Sequence, residues 1–254
     1  MLASPHSESV SKWSAAEERE GSWLGRWGHA SYRGLVAACL NHLAQIAAAY
    51  SAETGRCPLT FCRLRNMPLW LEARPSDQID AVVVRLRRWR VEDVDVLFRL
   101  VSDNLEHLRP WMPWARELSF DEQHAFLQRM QEAWEQRTDF AYAVTLPSSE
   151  PIGSMGLHAH EEPGTLEIGY WIGAAHAGRG YATSAAGAMT RTALALPGVE
   201  RVEIHCDEAN KASAAVPRKL GFTLVEVITR DTAAPAETGR GMIWAVGRDW
   251  LTQA

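Results

Sequence analysis

Cysteine is scarce in this chain of 254 residues, which holds only Cys39, Cys57, Cys62 and Cys206. They form no Cys-x-x-Cys and no repeated pair, which excludes a disulfide framework and points to a reduced, cytoplasmic protein. Cys57, Cys62 and His42 are wrongly spaced for a common zinc knuckle, so no metal is expected. Long apolar runs are absent as well. The best stretch, LVAACLNHLAQIAAAY from Leu35, is interrupted by Asn41, His42 and Gln45 and lies behind Glu17, Glu18 and Glu20. A membrane helix needs about 18 or more apolar residues in a row, and a secretory signal opens on a basic segment, so neither is expected. Positive charge is not in excess either. The formal net charge is −5, which argues against direct nucleic-acid binding.

What is present suffices for one sizeable core: 46% of the residues are hydrophobic,. Charge divides the chain. Residues 1–76 carry 8 Lys/Arg and 6 Asp/Glu, whereas the remainder carries 18 and 25. The first thirty residues are rich in Ser, Glu, Gly and Trp without a period, a composition that disfavours order. A helix is predicted near 33–50, where Val36, Leu40, Leu43 and Ala47 form one stripe before Gly55 and Pro58 end it. No catalytic constellation stands in this part. Residues 1–76 therefore read as an extension, or as residues ahead of a start at Met67, and 77–254 as the domain.

From residue 80 the pattern becomes regular. AVVVRLRRW alternates as a strand, with Val82, Val84, Leu86 and Arg88 on one side. VEDVDVLFRLVSDN reads as a helix with acids in its first turn, where the helix dipole favours them. HLRPWMPWARE is a proline-broken aromatic segment. SFDEQHAFLQRMQEAWEQR is a second helix whose Ser119 and Glu122 form a capping box. FAYAVTL, PIGSMGLHAH and TLEIGYWIG are three strands of a meander. YATSAAGAMTRTALAL is a helix with Ala182, Ala185, Ala186, Met189, Ala193 and Leu196 on one face. VERVEIHC is a strand, NKASAAVPRKLGF a short helix ending at Gly221, and FTLVEVI and MIWAVG two last strands. The order β-α-α-β-β-β-α-β-α-β-β predicts an α/β (α+β) fold: a mixed, mostly antiparallel seven-stranded sheet with helices on both faces.

Chemistry concentrates at Gly178-Arg179-Gly180, between a strand and a helix. A helix N-terminus offers unpaired N–H groups and the positive end of a dipole, and glycine lets backbone approach a ligand, so together they cradle phosphate or pyrophosphate. A dinucleotide fingerprint fails here because Thr183 stands at the third glycine position, and no Gly-Lys-Ser/Thr follows to make a Walker loop.

AGRGYATSA resembles the acyl-CoA pyrophosphate loop of the GNAT N-acetyltransferases, written Gln/Arg-x-x-Gly-x-Gly/Ala. NKASAAVPRKLGF and NLEHLRPWMPWA resemble the Asn-x-x-Ser…Leu-Gly-Phe motif and the aromatic segment of its RimJ/RimL branch, which acetylates N-terminal serine or alanine of ribosomal proteins. The three matches fall in order over residues 80–254. The resemblance implies a sheet whose fourth and fifth strands splay into a cleft for acetyl-CoA. It implies that Trp171, Ile172, Gly178, Arg179, Gly180, Tyr181, Ala182, Thr183, Asn210 and Ser213 hold that co-substrate, with no metal. One position departs: Ala177 replaces the Gln/Arg that would touch the pyrophosphate, leaving His176, Arg179 and the loop amides to compensate. Pro217 is a second feature. Lacking an N–H, it frees the Ser213 carbonyl, provided that the helix is distorted there.

Transfer from a thioester to an amine needs a neutral amine, a polarised carbonyl and a proton for the departing thiolate. Glu167 is the expected base, with Glu203 as the second candidate. Main-chain N–H groups near Trp171 and Ile172 would polarise the carbonyl and pair with the pantetheine arm as an added strand. Ser213 is the expected proton donor and Asn210 the N-cap of its helix. Trp111 and Trp114 would wall the acceptor side. Tyr181 packs in the loop, and His205 and Cys206 are read as structural. The expected activity is direct acetyl transfer to a primary amine by a monomer or homodimer. The acceptor stays open between a protein N-terminus and a small-molecule amine (antibiotic, polyamine or amino-acid conjugate). A non-catalytic acyl-CoA-binding module is the remaining alternative.

Overall fold

The computed structural model describes residues 73–159 and 162–252. The helix predicted near 33–50, Met67 and the first three cysteines lie outside them. The elements run β1 (Gln78–Asp80), β2 (Arg85–Arg88), α1 (Val94–Ser102), α2 (Leu105–Leu108), α3 (Phe120–Gln136), β3 (Asp139–Thr145), β4 (Pro151–Ala159), β5 (Thr165–Ile172), α4 (Tyr181–Ala195), β6 (Arg201–Asp207), α5 (Lys211–Lys219), β7 (Thr223–Thr229) and β8 (Arg240–Gly247). The sheet is the mixed, mostly antiparallel one expected, with eight strands in the order β1-β2-β3-β4-β5-β6-β8-β7.

The extra strand, β1, lies just before the predicted one, whose first half is a turn. Ala81–Val84 has the β-branched content of a strand, yet it is a hairpin turn, closed by Ala81 N–H donating to the Val84 carbonyl at 3.0 Å. Asp80 and Arg85 pair across it, both in register and through a 2.8 Å ion pair. Local propensity loses here to strand pairing. Elsewhere local signals hold. The Ser119 hydroxyl accepts from Glu122 N–H at 3.4 Å, and α3 ends on Arg137 in the left-handed region.

Period-two alternation sends successive side chains of each strand to opposite faces. Phe140, Tyr142 and Val144 join Met155, Leu157, Leu166 and Ile168 in a large core beneath Ala185, Ala186 and Met189 of α4. Ala141 and Ala143 face the other way, toward Leu97, Val101 and Leu127 of α1 and α3. The crossover β5–α4–β6 makes β5 and β6 the parallel pair, since a parallel connection needs a long return, here a helix.

Candidate active site

The parallel pair is short. Only Thr165↔Arg201, Leu166↔Val202 and Glu167↔Glu203 are in register. Beyond them β5 keeps its partner β4 as far as Ile172, and β6 keeps β8 as far as Asp207. The two strands thus part at Glu167 and leave a wedge-shaped gap. Gly173 N–H donates to the Ile152 carbonyl at 2.8 Å. By antiparallel alternation, Trp171 then bonds its main chain to β4, while Tyr170 and Ile172 turn theirs toward the gap. Of the two amides expected to face the thioester, the register favours that of Ile172. Its side chain is buried in the core at 8% exposure.

Tyr170 bridges the gap. Its hydroxyl donates to the Ser213 carbonyl at 3.0 Å and lies 3.2 Å from the Ser213 hydroxyl. That carbonyl is available because Pro217, four residues on, has no N–H to offer it. Helix α5 nevertheless runs unbroken from Lys211 to Lys219. The proline therefore leaves an acceptor for Tyr170 without interrupting the helix. Burial pushes the Tyr170 phenol well above its usual pKa, so it stays a donor. Its one proton goes to the carbonyl, which makes the Ser213 hydroxyl the donor in the second contact. Asn210 caps α5 as expected, accepting from Ser213 N–H at 3.0 Å.

On the α1/α3 face the strand registers sort residues into rows. Ala141, Gly156 and Gly169 align across three strands. These small side chains leave the sheet floor low. Above it lies a cavity of about 630 Å3, lined among others by Trp111, Trp114, Glu167, Trp171, Asn210 and Ser213. The Trp114 and Trp171 rings stand 6.2 Å apart. The next row is ionisable: Asp139, His158, Glu167 and Glu203. Asp139 holds the His158 ring at 2.9 Å. That ring folds back over Gly156, where a Cβ would collide with its Nε2.

Glu203 differs from Glu167 in its surroundings. It is 4% exposed, and its two oxygens engage Arg201 Nε and His205 Nε2, each at 2.6 Å. Burial alone would raise its pKa, but the hydrogen bonds and charges of His205 and Arg201 outweigh it and hold the carboxyl down to about 2, from an ordinary 4.5. A group so engaged makes a poor base. A lowered folded-state pKa stabilises the fold above the unfolded value and ceases to do so as pH falls through the folded one. Ionised Glu203 should therefore contribute about 3 kcal/mol near neutrality. Urea unfolding of the wild type should weaken between about pH 4.5 and pH 2 more steeply than that of Glu203→Gln. Parallel pH dependences would remove this assignment.

Burial also raises the Cys206 thiol to about 11. Asp207 closes the end of β6. Burial would raise its pKa, yet amide donors from Ala209, Thr238 and Gly239 and the Thr238 hydroxyl keep it low. These bonds draw in the β7–β8 loop, whose Ala236 N–H reaches the Pro110 carbonyl at 3.0 Å. That contact brings the loop to the aromatic segment around Trp111.

The glycine turn opens the other end of the gap. Gly178 and Gly180 have φ of +74° and +83°, and a Cβ at either would meet nothing within 4 Å. Ser184 N–H is bonded back to the Gly180 carbonyl, so the amides of Tyr181, Ala182 and Thr183 are the unsatisfied donors of the first turn. Among the described residues no side chain caps this end. Arg179 is exposed, and Tyr181 packs against the core with its ring 6.2 Å from His176. Sequence reading overlooked Tyr170 and placed His205 among structural residues. The missing donor implied by Pro217 was the available clue to the first. The second needed the β5/β6 register.

Residues 84–223 match the family model described as Acetyltransferase (GNAT) domain. No curated protein matches the chain. Solved structures share the fold. A RimL ribosomal L7/L12 α-N-protein acetyltransferase in complex with coenzyme A is 22% identical, with a TM-score of 0.62 over 67% of this chain and 97% of that one. RimJ of Mycobacterium smegmatis, in complex with a CoA disulfide, is 20% identical with a TM-score of 0.64, over 74% and 92%. The microcin C7 self-immunity acetyltransferase MccE, in complex with acetyl-CoA and AMP, is 19% identical with a TM-score of 0.60, over 65% and 92%. Among the described residues no helix is long and apolar enough to cross a membrane, and no group of three or more His, Cys, Asp or Glu is placed to hold a metal ion.

Proposed function

The chain belongs to the GNAT acetyltransferase family, and from that premise we propose that it acetylates the N-terminal α-amine of a protein, directly and without a covalent enzyme intermediate. Acetyl-CoA is its co-substrate, as it is for the family. The observation that carries the reading is the continuity of three features. An uncapped helix N-terminus at Gly180 leads into the gap between β5 and β6, and the gap leads to Glu167 in the aromatic-walled cavity.

The residues present fit the co-substrate. The amides of Gly178 through Thr183, with Arg179 beside them, suit a pyrophosphate. The main chain of Tyr170 and Ile172 suits the amide-bearing pantetheine arm, which would pair with β5 as a strand does. Acetyl-CoA supplies an activated thioester carbonyl and a thiolate leaving group. The chain's own groups do the rest. Glu167 takes the proton of the incoming amine. An α-amine has a pKa near 8, so a modest base is enough. The Ile172 amide stabilises the carbonyl oxygen as it gains charge. Ser213, held at the start of its helix by the Asn210 cap, turns its hydroxyl from Tyr170 to give the thiolate a proton and regains one from solvent. Trp111, Trp114 and Trp171 give a rigid wall for the first residues of a peptide.

The test is a set of peptides beginning with free Ser or Ala, compared with the same peptides blocked at the N-terminus and with polyamines and aminoacyl nucleotides. The free peptides should gain one acetyl group on the first residue, read by mass spectrometry. Acetylation confined to the small amines would move the acceptor to that class. Tight binding of acetyl-CoA without transfer to any amine would leave a binding module.

A further inference from the structure

We propose that His205 is a positioning residue for Glu167, accepting at Nδ1 the proton that Glu167 removes from the amine. This rests on the reading of Glu167 as the base.

Three observations support it. First, the β5/β6 register ends on Glu167↔Glu203. His205, two residues after Glu203, falls on the same face and lines the same cavity,. Second, Glu203 fixes the tautomer. It is an ionised, acceptor-only carboxylate, so the 2.6 Å contact to His205 Nε2 places the hydrogen on that nitrogen,. Arg201, on the other oxygen of Glu203, keeps the carboxylate from turning away. Third, the remaining nitrogen faces Glu167, with Nδ1 3.7 Å from Oε2. That is too long for a hydrogen bond and suited to a charge contact that shortens once a proton arrives. The His205 side chain is 12% exposed and that of Glu167 20%, so the attraction between the imidazolium, once formed, and Glu167 is only partly screened.

The amine lone pair attacks the thioester carbon and forms the C–N bond. The N–H bond breaks with its electrons returning to nitrogen, and the proton passes to Glu167 and then to Nδ1. The C–S bond breaks with its electron pair leaving on the thiolate. The imidazolium formed sits between two carboxylates, and solvent takes the proton before the next cycle. A carboxylate–imidazole pair thus stands behind a base, where an unassisted glutamate would have to release its proton unaided.

The charged groups around the cavity are Arg116, Glu117, Glu122 and Arg129 on the α3 side, Asp207 on β6, Arg230 and Glu237 around the β7–β8 loop, and His158 with its Asp139. They are common to the variants compared and cancel between them. Two measurements on the intact chain decide. Nitrogen-15 shifts of neutral His205 should show the hydrogen on Nε2, and the Nδ1–H tautomer would overturn the proposal. With a Ser-initiated peptide as acceptor, His205→Ala and His205→Gln should lower kcat about tenfold to a hundredfold and leave KM for acetyl-CoA unchanged. Imidazole should restore part of the His205→Ala rate, and pyrazole, a poor base of similar shape, should not. The double variant Glu167→Gln/His205→Ala should be no slower than Glu167→Gln alone. Additive losses would show that His205 acts apart from Glu167. A loss in His205→Ala without one in Glu167→Gln would instead overturn the assignment of Glu167. His205→Gln keeps a neutral hydrogen-bonding side chain against Glu203, so it serves if the alanine variant does not fold.

Discussion

Glu167→Gln is expected to lower kcat for amine acetylation by about 10²–10⁴-fold at neutral pH while leaving acetyl-CoA affinity unchanged. The substitution keeps the shape of the side chain and its cross-strand place opposite His158. It removes only the charge and the capacity to take a proton. Below a pH of about 8 most of an α-amine is protonated and cannot attack. Wild type would draw the reactive form out with Glu167, and the variant would have to wait for solvent. The deficit should therefore shrink as pH rises past about 8, where the amine sheds its own proton. Steady-state kinetics from pH 6 to pH 10 test this, with acetyl-CoA binding by calorimetry as the control. A loss independent of pH would mean that Glu167 holds the acceptor and is not its base.

The second large effect is expected at the glycine turn. Gly180→Glu should weaken acetyl-CoA binding at least a hundredfold, about 2.7 kcal/mol, with little change in unfolding midpoint. Added bulk is not the reason, since a Cβ at Gly180 meets nothing within 4 Å. Two other terms act. A side chain at φ +83° pays about 1–2 kcal/mol of backbone strain,. A carboxylate also occupies, as an anion, the helix end where the pyrophosphate would lie. The same carboxylate favours the helix dipole, and this offsets the strain in the fold but not in the complex. Gly180→Ala carries the strain without the charge and should lose far less affinity. Calorimetry on the two variants separates these terms. Equal losses would place the pyrophosphate elsewhere.

The sequence made the element order legible because most elements announce themselves locally. Ser119 and Asn210 cap, Gly221 stops a helix, and the meander strands alternate. Ala81–Val84 misled for the converse reason: three valines of high strand propensity turn because Asp80 must meet Arg85,. The glycine loop was legible as a motif, since helix-end chemistry is local. The floor of the cavity was not. Ala141, Gly156 and Gly169 are unremarkable singly and become a hollow only when two registers align them. The same holds for Glu203 and His205, whose relation to Glu167 depends on where two parallel strands stop pairing. Pro217 lay between these cases. Its missing N–H could be read from the sequence, but the Tyr170 hydroxyl that answers it comes from a distant strand.

The gap between β5 and β6 has a consequence for the protein as a whole. Past Glu167 the sheet is two part-sheets, held together there by α4 behind them and by one phenol clasped to a helix carbonyl. A pantetheine arm lying in that gap would complete the sheet with a strand that the chain does not encode. Folding and co-substrate supply then become linked quantities. At a hundredfold excess of acetyl-CoA over its Kd, mass action alone adds about 2.7 kcal/mol to the folded state. The enzyme would be sturdiest where acetyl groups are plentiful and most easily opened where they run short.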